Sequence, residues 1–396
     1  MALAMPYLVL ILPQALWNEN EHTGFIFGVF AIAICASLFV EIFIDLIRAS
    51  KRGHTRGAGD VAAEGARSRL NEYGPGLRRS AYFVSTVGAV VGVLSAAVGI
   101  GSIQSQVGLL VVSAPLSMAT ALVGGWPVIG VALLLAARLA GQITGRRFWL
   151  WIAAITFGQL IESYLTAITA TLMAFATSLM MVLLLFGMIR IRSAIVAVIA
   201  VLLVWPLVYD IRNDARQSSG VSVSADVGAF DRLRLDQQVA RAAEIQEVPL
   251  DLGQPGPAEM VRFGLIPRFL DPDRPTISTG IKINVYLGGS STSGYSFLPV
   301  TTAYVLGGPL YVVFWYAFWA LFLSITLRGG NRLTVTRIVL VALVLTGPLG
   351  WFSTFPDRTI SVIQFFVSFL PILLFLTVER ALRRRRLPAT ERAAQR

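Results

Sequence analysis

The chain has 396 residues, 55% of them hydrophobic and only 14% charged, and a charged share well below the roughly one quarter of soluble domains leaves an integral membrane protein as the class. Its net charge of +11 is almost all arginine, since Lys51 and Lys282 are the only lysines, and it gathers in residues 48–79 and in the tail 380–396 with its run Arg383-Arg384-Arg385-Arg386. Such runs mark the cytoplasmic side of a membrane protein rather than a nucleic-acid site. The single cysteine, Cys35, lies in an apolar run, and the two histidines, His22 and His54, fall in separate loops. No internal disulfide, metal centre or histidine-based triad can be built from them, and no cofactor is expected.

In chain order, residues 3–17 are apolar but short and interrupted by Pro6 and Pro13, so whether they form a full span stays open. No Lys or Arg precedes them, which argues against a cleaved signal peptide. After a polar turn, 24–47 is a clear span ending at Arg48, and the Gly- and Ala-rich basic loop that follows is expected to be partly disordered. Residues 82–101 form a span rich in Gly, Ala, Ser and Val, as suits close packing in lipid. The apolar run 107–139 is too long for one helix; a single crossing near 117–139, preceded by an interfacial piece broken at Pro115, keeps the basic loops 48–79 and Arg146-Arg147 on one side. Crossings at 148–162, 165–188 and 193–209 follow, then one long polar segment, 210–298. Within that segment 230–248 lacks Gly and Pro and is expected to form a surface helix, though its periodicity is weak. Crossings at 299–327, 334–352 and 360–378 close the chain.

The fold class expected is therefore all-α, a polytopic membrane protein of about ten transmembrane helices with one large external loop. Residues 1–209 carry about seven of the helices and the basic cytoplasmic loop 48–79, 210–298 the external loop, 299–379 the closing helices, and 380–396 a basic cytoplasmic tail. The charge bias puts both termini in the cytoplasm and the chain in the inner (plasma) membrane.

Chemistry concentrates in the external loop. Arg262, Arg268, Arg274 and Lys282 face only Asp271 and Asp273 over the same interval, and Pro267, Pro272 and Pro275 exclude a regular helix there and stiffen the backbone. Arginine presents a planar fork of donors that matches phosphate oxygens and keeps its charge at any working pH. Fixed near a low-dielectric membrane, such groups can stabilise a departing diphosphate. The competing reading is structural: the same arginines pair with Asp271 and Asp273, or with lipid headgroups, and merely fasten the loop. For a general base the candidates are Asp273, Asp271 and Glu259, with Glu162 apart from them at the outer end of an apolar run, where it either acts in function or caps the helix. Gly288 to Gly294 reads as a flexible connector, and the aromatics Tyr311, Phe314, Trp315, Tyr316, Phe318 and Trp319 as lipid-facing, with stacking on a sugar or isoprenoid as the alternative.

The run Leu265-Ile266-Pro267-Arg268-Phe269-Leu270-Asp271-Pro272-Asp273-Arg274-Pro275, followed by Gly280, is similar to the Pro-Arg, Pro-x-(Lys/Arg)-Pro, Gly pattern of oligosaccharide repeat-unit polymerases. The order of features over the whole chain resembles the O-antigen polymerase and ligase-like superfamily. The resemblance implies metal-independent glycosyl transfer on the outer face, from a polyprenyl-diphosphate-linked oligosaccharide to a sugar hydroxyl of another lipid-linked unit. It implies that Arg268 and Arg274 bind the diphosphate, assisted by Arg262 and Lys282, and that Gly280 lets backbone approach the ligand. The expected partners are that lipid-linked substrate, membrane lipids and a chain-length regulator protein, with no nucleic acid. Residues 210–298 contain no histidine, the residue the ligase relatives use there, so ligase stands behind polymerase. The earlier helix reads Ala167-Ile168-Thr169-Ala170-Thr171 where many polymerases carry a basic group, and Arg212 and Arg216 are the candidate substitutes. A transporter or flippase for lipid-linked glycans is the non-enzymatic alternative.

Overall fold

The computed structural model describes residues 5–51, 70–106, 110–111, 113–218, 220, 229–230, 234–245, 248–251, 255–266, 270–271, 279–289, 297–327, 333–347, 349–350 and 357–386. Among the described residues every regular element is a helix: α1 (Met5–Trp17), α2 (Thr23–Lys51), α3 (Gly74–Ala97), α4 (Ile103–Gln106), α5 (Ala114–Val123), α6 (Trp126–Leu139), α7 (Gly145–Thr166), α8 (Thr169–Leu185), α9 (Ile191–Ser218), α10 (Leu235–Ala240), α11 (Pro257–Leu265), α12 (Thr279–Tyr286), α13 (Pro299–Leu327), α14 (Val335–Thr346) and α15 (Asp357–Arg386). The chain is an all-α polytopic membrane protein. Among the described residues seven stretches are long and apolar enough to cross a bilayer: α2, α3, the α5–α6 run, α7, α9, α13 and α15.

The remaining expected crossings are shorter helices. α1 has 13 residues, α8 has 17 and α14 has 12. At about 1.5 Å per residue α14 covers roughly 18 Å of a hydrocarbon layer of about 30 Å, so the described helix is shorter than the one expected over 334–352. Gly347 ends the helix with φ −89°, ψ −108°. A short helix is tolerated here because α14 is walled in by protein: Val335, Ile338, Val339 and the whole run from Val341 to Leu345 are buried, against α6 and α8. α6 is likewise buried on every side from Ile129 to Ala137, as a helix with no polar face must be. These two helices are the centre of the bundle.

Small residues set the spacing around that centre. Gly130 of α6 sits where a Cβ would meet the Ser85 hydroxyl of α3 at 2.7 Å, and Gly88 of α3 lies against Trp126 and Pro127. On α7, Gly158 faces Ala89, and Tyr82 stacks on Trp151 with ring centroids 4.9 Å apart. These contacts fix direction as well as distance. α3 and α7 run parallel, because 82 meets 151 and 89 meets 158; α6 runs against them, because 88 meets 126 and 85 meets 130.

The C-terminal part of α15 returns to the start of α3. Arg380 pairs with Glu72 and lies over the Tyr73 ring at 5.2 Å, Arg383 packs on Gly74, and Glu379 on Gly76. The described parts of the two basic clusters therefore meet at one end of the bundle. The polar segment packs at the other: α11 meets α15 at Ile363 and Gln364, sixteen residues before Arg380 and so about 24 Å along the helix.

The boundaries of that polar segment differ from expectation. α9 continues to Ser218 instead of stopping at Tyr209, because Asp210, Arg212, Asp214 and Arg216 end the apolar run without ending the helix; no Gly or Pro interrupts them. Among the described residues of the expected surface helix over 230–248, the helical part is α10, followed by a turn from Arg241 to Glu244. α10 is docked rather than on the surface, since Leu235, Asp236, Val239 and Ala240 are buried against α1 and α2. A further feature escaped the sequence reading: α13 breaks at Gly307 and at Gly308, whose φ of 68° favours glycine. The Val305 carbonyl near the break accepts from Leu250 N–H at 2.9 Å, so the polar segment satisfies backbone at this broken helix. The aromatic run on α13 divides by face: Tyr316 and Trp319 are buried, and Phe314 and Phe318 are exposed.

Candidate functional site

The described part of residues 262–282 begins in a helix. α11 starts with proline in its first turn, and the Glu259 carboxylate turns back to accept from Gly256 N–H at 2.9 Å. It ends at Leu265, ahead of Pro267, where the residue before a proline is pushed out of helical geometry. Gly264 presses α11 onto Ile363 of α15, and the Gln364 amide donates to the Phe263 carbonyl at 3.1 Å.

On this anchored helix Arg262 donates from Nη2 to Asp271 Oδ1 at 2.8 Å. The guanidinium side chain stays 55% exposed while the Asp271 side chain is only 10% exposed. A buried carboxylate thus holds a half-exposed cation by one edge and leaves its other donors facing outward. Asp271 Oδ2 is buried and meets no hydrogen-bond partner among the described residues. Lys282, on α12, is exposed, and Gly280 lies in the first turn of that helix. Arg268, Asp273 and Arg274 lie outside the described residues.

Glu162 occupies a separate place at the same end of the bundle. It lies one turn before the end of α7, its Oε2 accepts from Gln159 Nε2 at 2.7 Å, and the carboxylate fills the notch at Gly92 of α3, where a Cβ would come to 2.6 Å. α7 ends at Ala167 in the left-handed region with φ 55°, and the Ala167 carbonyl accepts from Arg216 Nε at 3.1 Å. Arg216 therefore caps α7 from α9. Arg212 lies over the Tyr209 ring at 4.3 Å and donates to Asn213 Oδ1. Of the two arginines named as candidate substitutes for the missing basic group, Arg216 holds the end of α7, whereas Arg212 engages Tyr209 and Asn213 of its own helix.

A third cluster, which sequence reasoning missed, centres on Asp236. Its side chain is fully buried, and Oδ2 accepts from Asn18 Nδ2 at 3.3 Å, Asn20 Nδ2 at 3.2 Å and Arg234 Nη2 at 3.1 Å. The Leu235 N–H donates to Gln14 Oε1 at 3.0 Å. The polar segment is thereby latched to the turn between α1 and α2. The only signal in the sequence was the pair of asparagines flanking Glu19, which reads as an ordinary polar turn. Burial pushes the Asp236 pKa up, but the hydrogen bonds and charge of Arg234 together with the amides of Asn20 and Asn18 outweigh it and hold the carboxyl below its ordinary value. A carboxyl lowered on folding stabilises the docked state above its unfolded value near ~3.9 and loses that contribution as the pH falls through the folded value. Amide hydrogen exchange over 234–245 is thus expected to be flat across neutral pH, once corrected for intrinsic rates, and to accelerate in acid, and Asp236→Asn is expected to remove that acid dependence.

Among the described residues no group of three or more His, Cys, Asp or Glu side chains is arranged to hold a metal ion. No family model matches the chain, and no curated protein or solved structure matches it.

Proposed function

We propose that the chain is a polymerase of a bacterial surface polysaccharide, working on the outer face of the inner membrane without a metal ion. A hydroxyl of one lipid-linked repeat unit attacks the anomeric carbon of another; the bond from that carbon to the diphosphate oxygen breaks, and the electron pair leaves with the polyprenyl diphosphate. The observation that carries this reading is Arg262, half-exposed and fixed by the buried Asp271 on a helix braced against a membrane-spanning helix. It is a cation oriented in advance for an anionic group at the membrane surface, and it opens the stretch that continues through Arg268, Arg274, Gly280 and Lys282. The acceptor proton passes to a carboxylate, with Asp273, Asp271 and Glu162 as the candidates. Arg268→Ala and Arg274→Ala are each expected to abolish chain elongation while the protein remains inserted and expressed at its normal level. Normal polymer lengths in both variants would contradict the assignment.

A second reading, a transporter or flippase for lipid-linked glycans, draws on one observation, the Glu162 carboxylate set into Gly92 inside a spanning helix pair. Covalent lengthening of the glycan by the purified chain separates the two.

A further inference from the structure

We propose that α11 is an interfacial helix whose outward face, carrying Val261 and Leu265, is immersed in the lipid leaflet at the end of the bundle away from the basic clusters, with Arg262 on lipid phosphate. Three observations converge on this. At about 100° per residue, Phe263 and Gly264 turn toward α15, which leaves Val261, Arg262 and Leu265 on the opposite side; Phe263 and Gly264 are indeed buried, while Val261 and Leu265 are 49% and 53% exposed. Ile266 and Leu270 continue the exposed apolar surface beyond the helix. Depth gives the second observation. Gly264 abuts Ile363, four residues inside the span Thr359–Arg383, hence about 6 Å below its start, within the ~5–10 Å at which interfacial helices lie. Charge gives the third, because Arg262 borders the apolar face and is held by Asp271 with donors to spare, the arrangement in which a long cationic side chain reaches from acyl chains to phosphate. Glu259, the one acidic residue of α11, is bent back to Gly256 at the start of the helix. The inference concerns the bilayer in the absence of substrate and does not depend on the reaction proposed above; a lipid-linked diphosphate presents the same phosphate oxygens to Arg262 when it binds.

The test uses the full chain in lipid nanodiscs of phosphatidylethanolamine and phosphatidylglycerol. In a Cys35→Ser background, which removes the single native thiol, spin labels are placed through Val261→Cys, Leu265→Cys and, as a water-facing reference, Gln237→Cys, since Gln237 is exposed on α10. Collisions with oxygen are expected to exceed collisions with a soluble nickel chelate at 261 and 265, and the order to reverse at 237. Dominance of the nickel chelate at 261 and 265 would overturn the proposal, and so would shielding from both reagents, which means a protein surface covers the face. Nanodiscs of a phosphate-free galactolipid are expected to lower the oxygen-to-nickel ratio at 265, and Arg262→Ala to abolish the difference between the two lipids. An identical ratio in both lipids with Arg262 intact would overturn the phosphate contact.

Discussion

Asp236→Ala is expected to free the polar segment from the turn between α1 and α2 while leaving the spanning helices in place. The substitution strips Asn18, Asn20 and Arg234 of their shared acceptor. Removing one partner of a buried ion pair costs ~3–5 kcal/mol, and because the Arg234 side chain retains 32% exposure the lower end, about 3 kcal/mol, applies. At 1.4 kcal/mol per decade this is roughly a hundredfold faster amide exchange over 234–245. Exchange in α6 should stay unchanged, because its buried surround is supplied by other helices. Unaltered protection over 234–245 would show that apolar contacts of Leu235 and Val239 hold the segment without the carboxylate.

Gly264→Leu is expected to displace α11 from α15 and to stop elongation. A Cβ at this position would stand 2.5 Å from Ile363 Cβ and Cγ2, so helix and span must separate. Overpacking of this kind costs about 1–3 kcal/mol, and the separation also weakens the bond from Gln364 to the Phe263 carbonyl. The larger effect falls on Arg262, two residues from that contact. A misplacement of about 1 Å in a group that positions substrate can cost roughly a hundredfold in rate. Elongation rate measured beside insertion level separates this loss from misfolding, since α11 is not among the spanning helices. Full activity of Gly264→Leu would detach Arg262 from the reaction.

Much of the fold is legible in the sequence because lipid simplifies it: a run of apolar residues of the right length has to be helical when no water is present to satisfy its backbone. Parity from the arginine clusters also agrees with the contacts, as α15 brings Arg380 and Arg383 to the start of α3. What escaped was governed by neighbours. Residues 334–352 read as one more crossing of ordinary length, whereas α14 has 12 residues and is enclosed by α6 and α8, a packing that lies outside its own composition. The end of α9 was placed where polarity changes, whereas a helix ends where its backbone bonds end, and Asp210 to Ser218 keep them. At the candidate site, Arg262 and Asp271 were legible as a close pair of opposite charges. Their asymmetry, a buried carboxylate with a half-exposed partner, was not, because burial is set by the folded packing and not by sequence spacing. Asp236 was invisible for the same reason, since its donors Asn18 and Asn20 lie more than two hundred residues earlier.

The most direct test of the polymerase assignment is to incubate the purified full-length chain in nanodiscs with a polyprenyl-diphosphate-linked repeat unit, in the presence of a metal chelator and without ATP, and to resolve the products by length. The account predicts a ladder of lipid-linked glycans rising in steps of one repeat unit, with release of free polyprenyl diphosphate, and no ladder from Arg268→Ala or Arg274→Ala. Recovery of the repeat unit unextended by the native chain, under conditions in which it remains folded and binds the substrate, would contradict it.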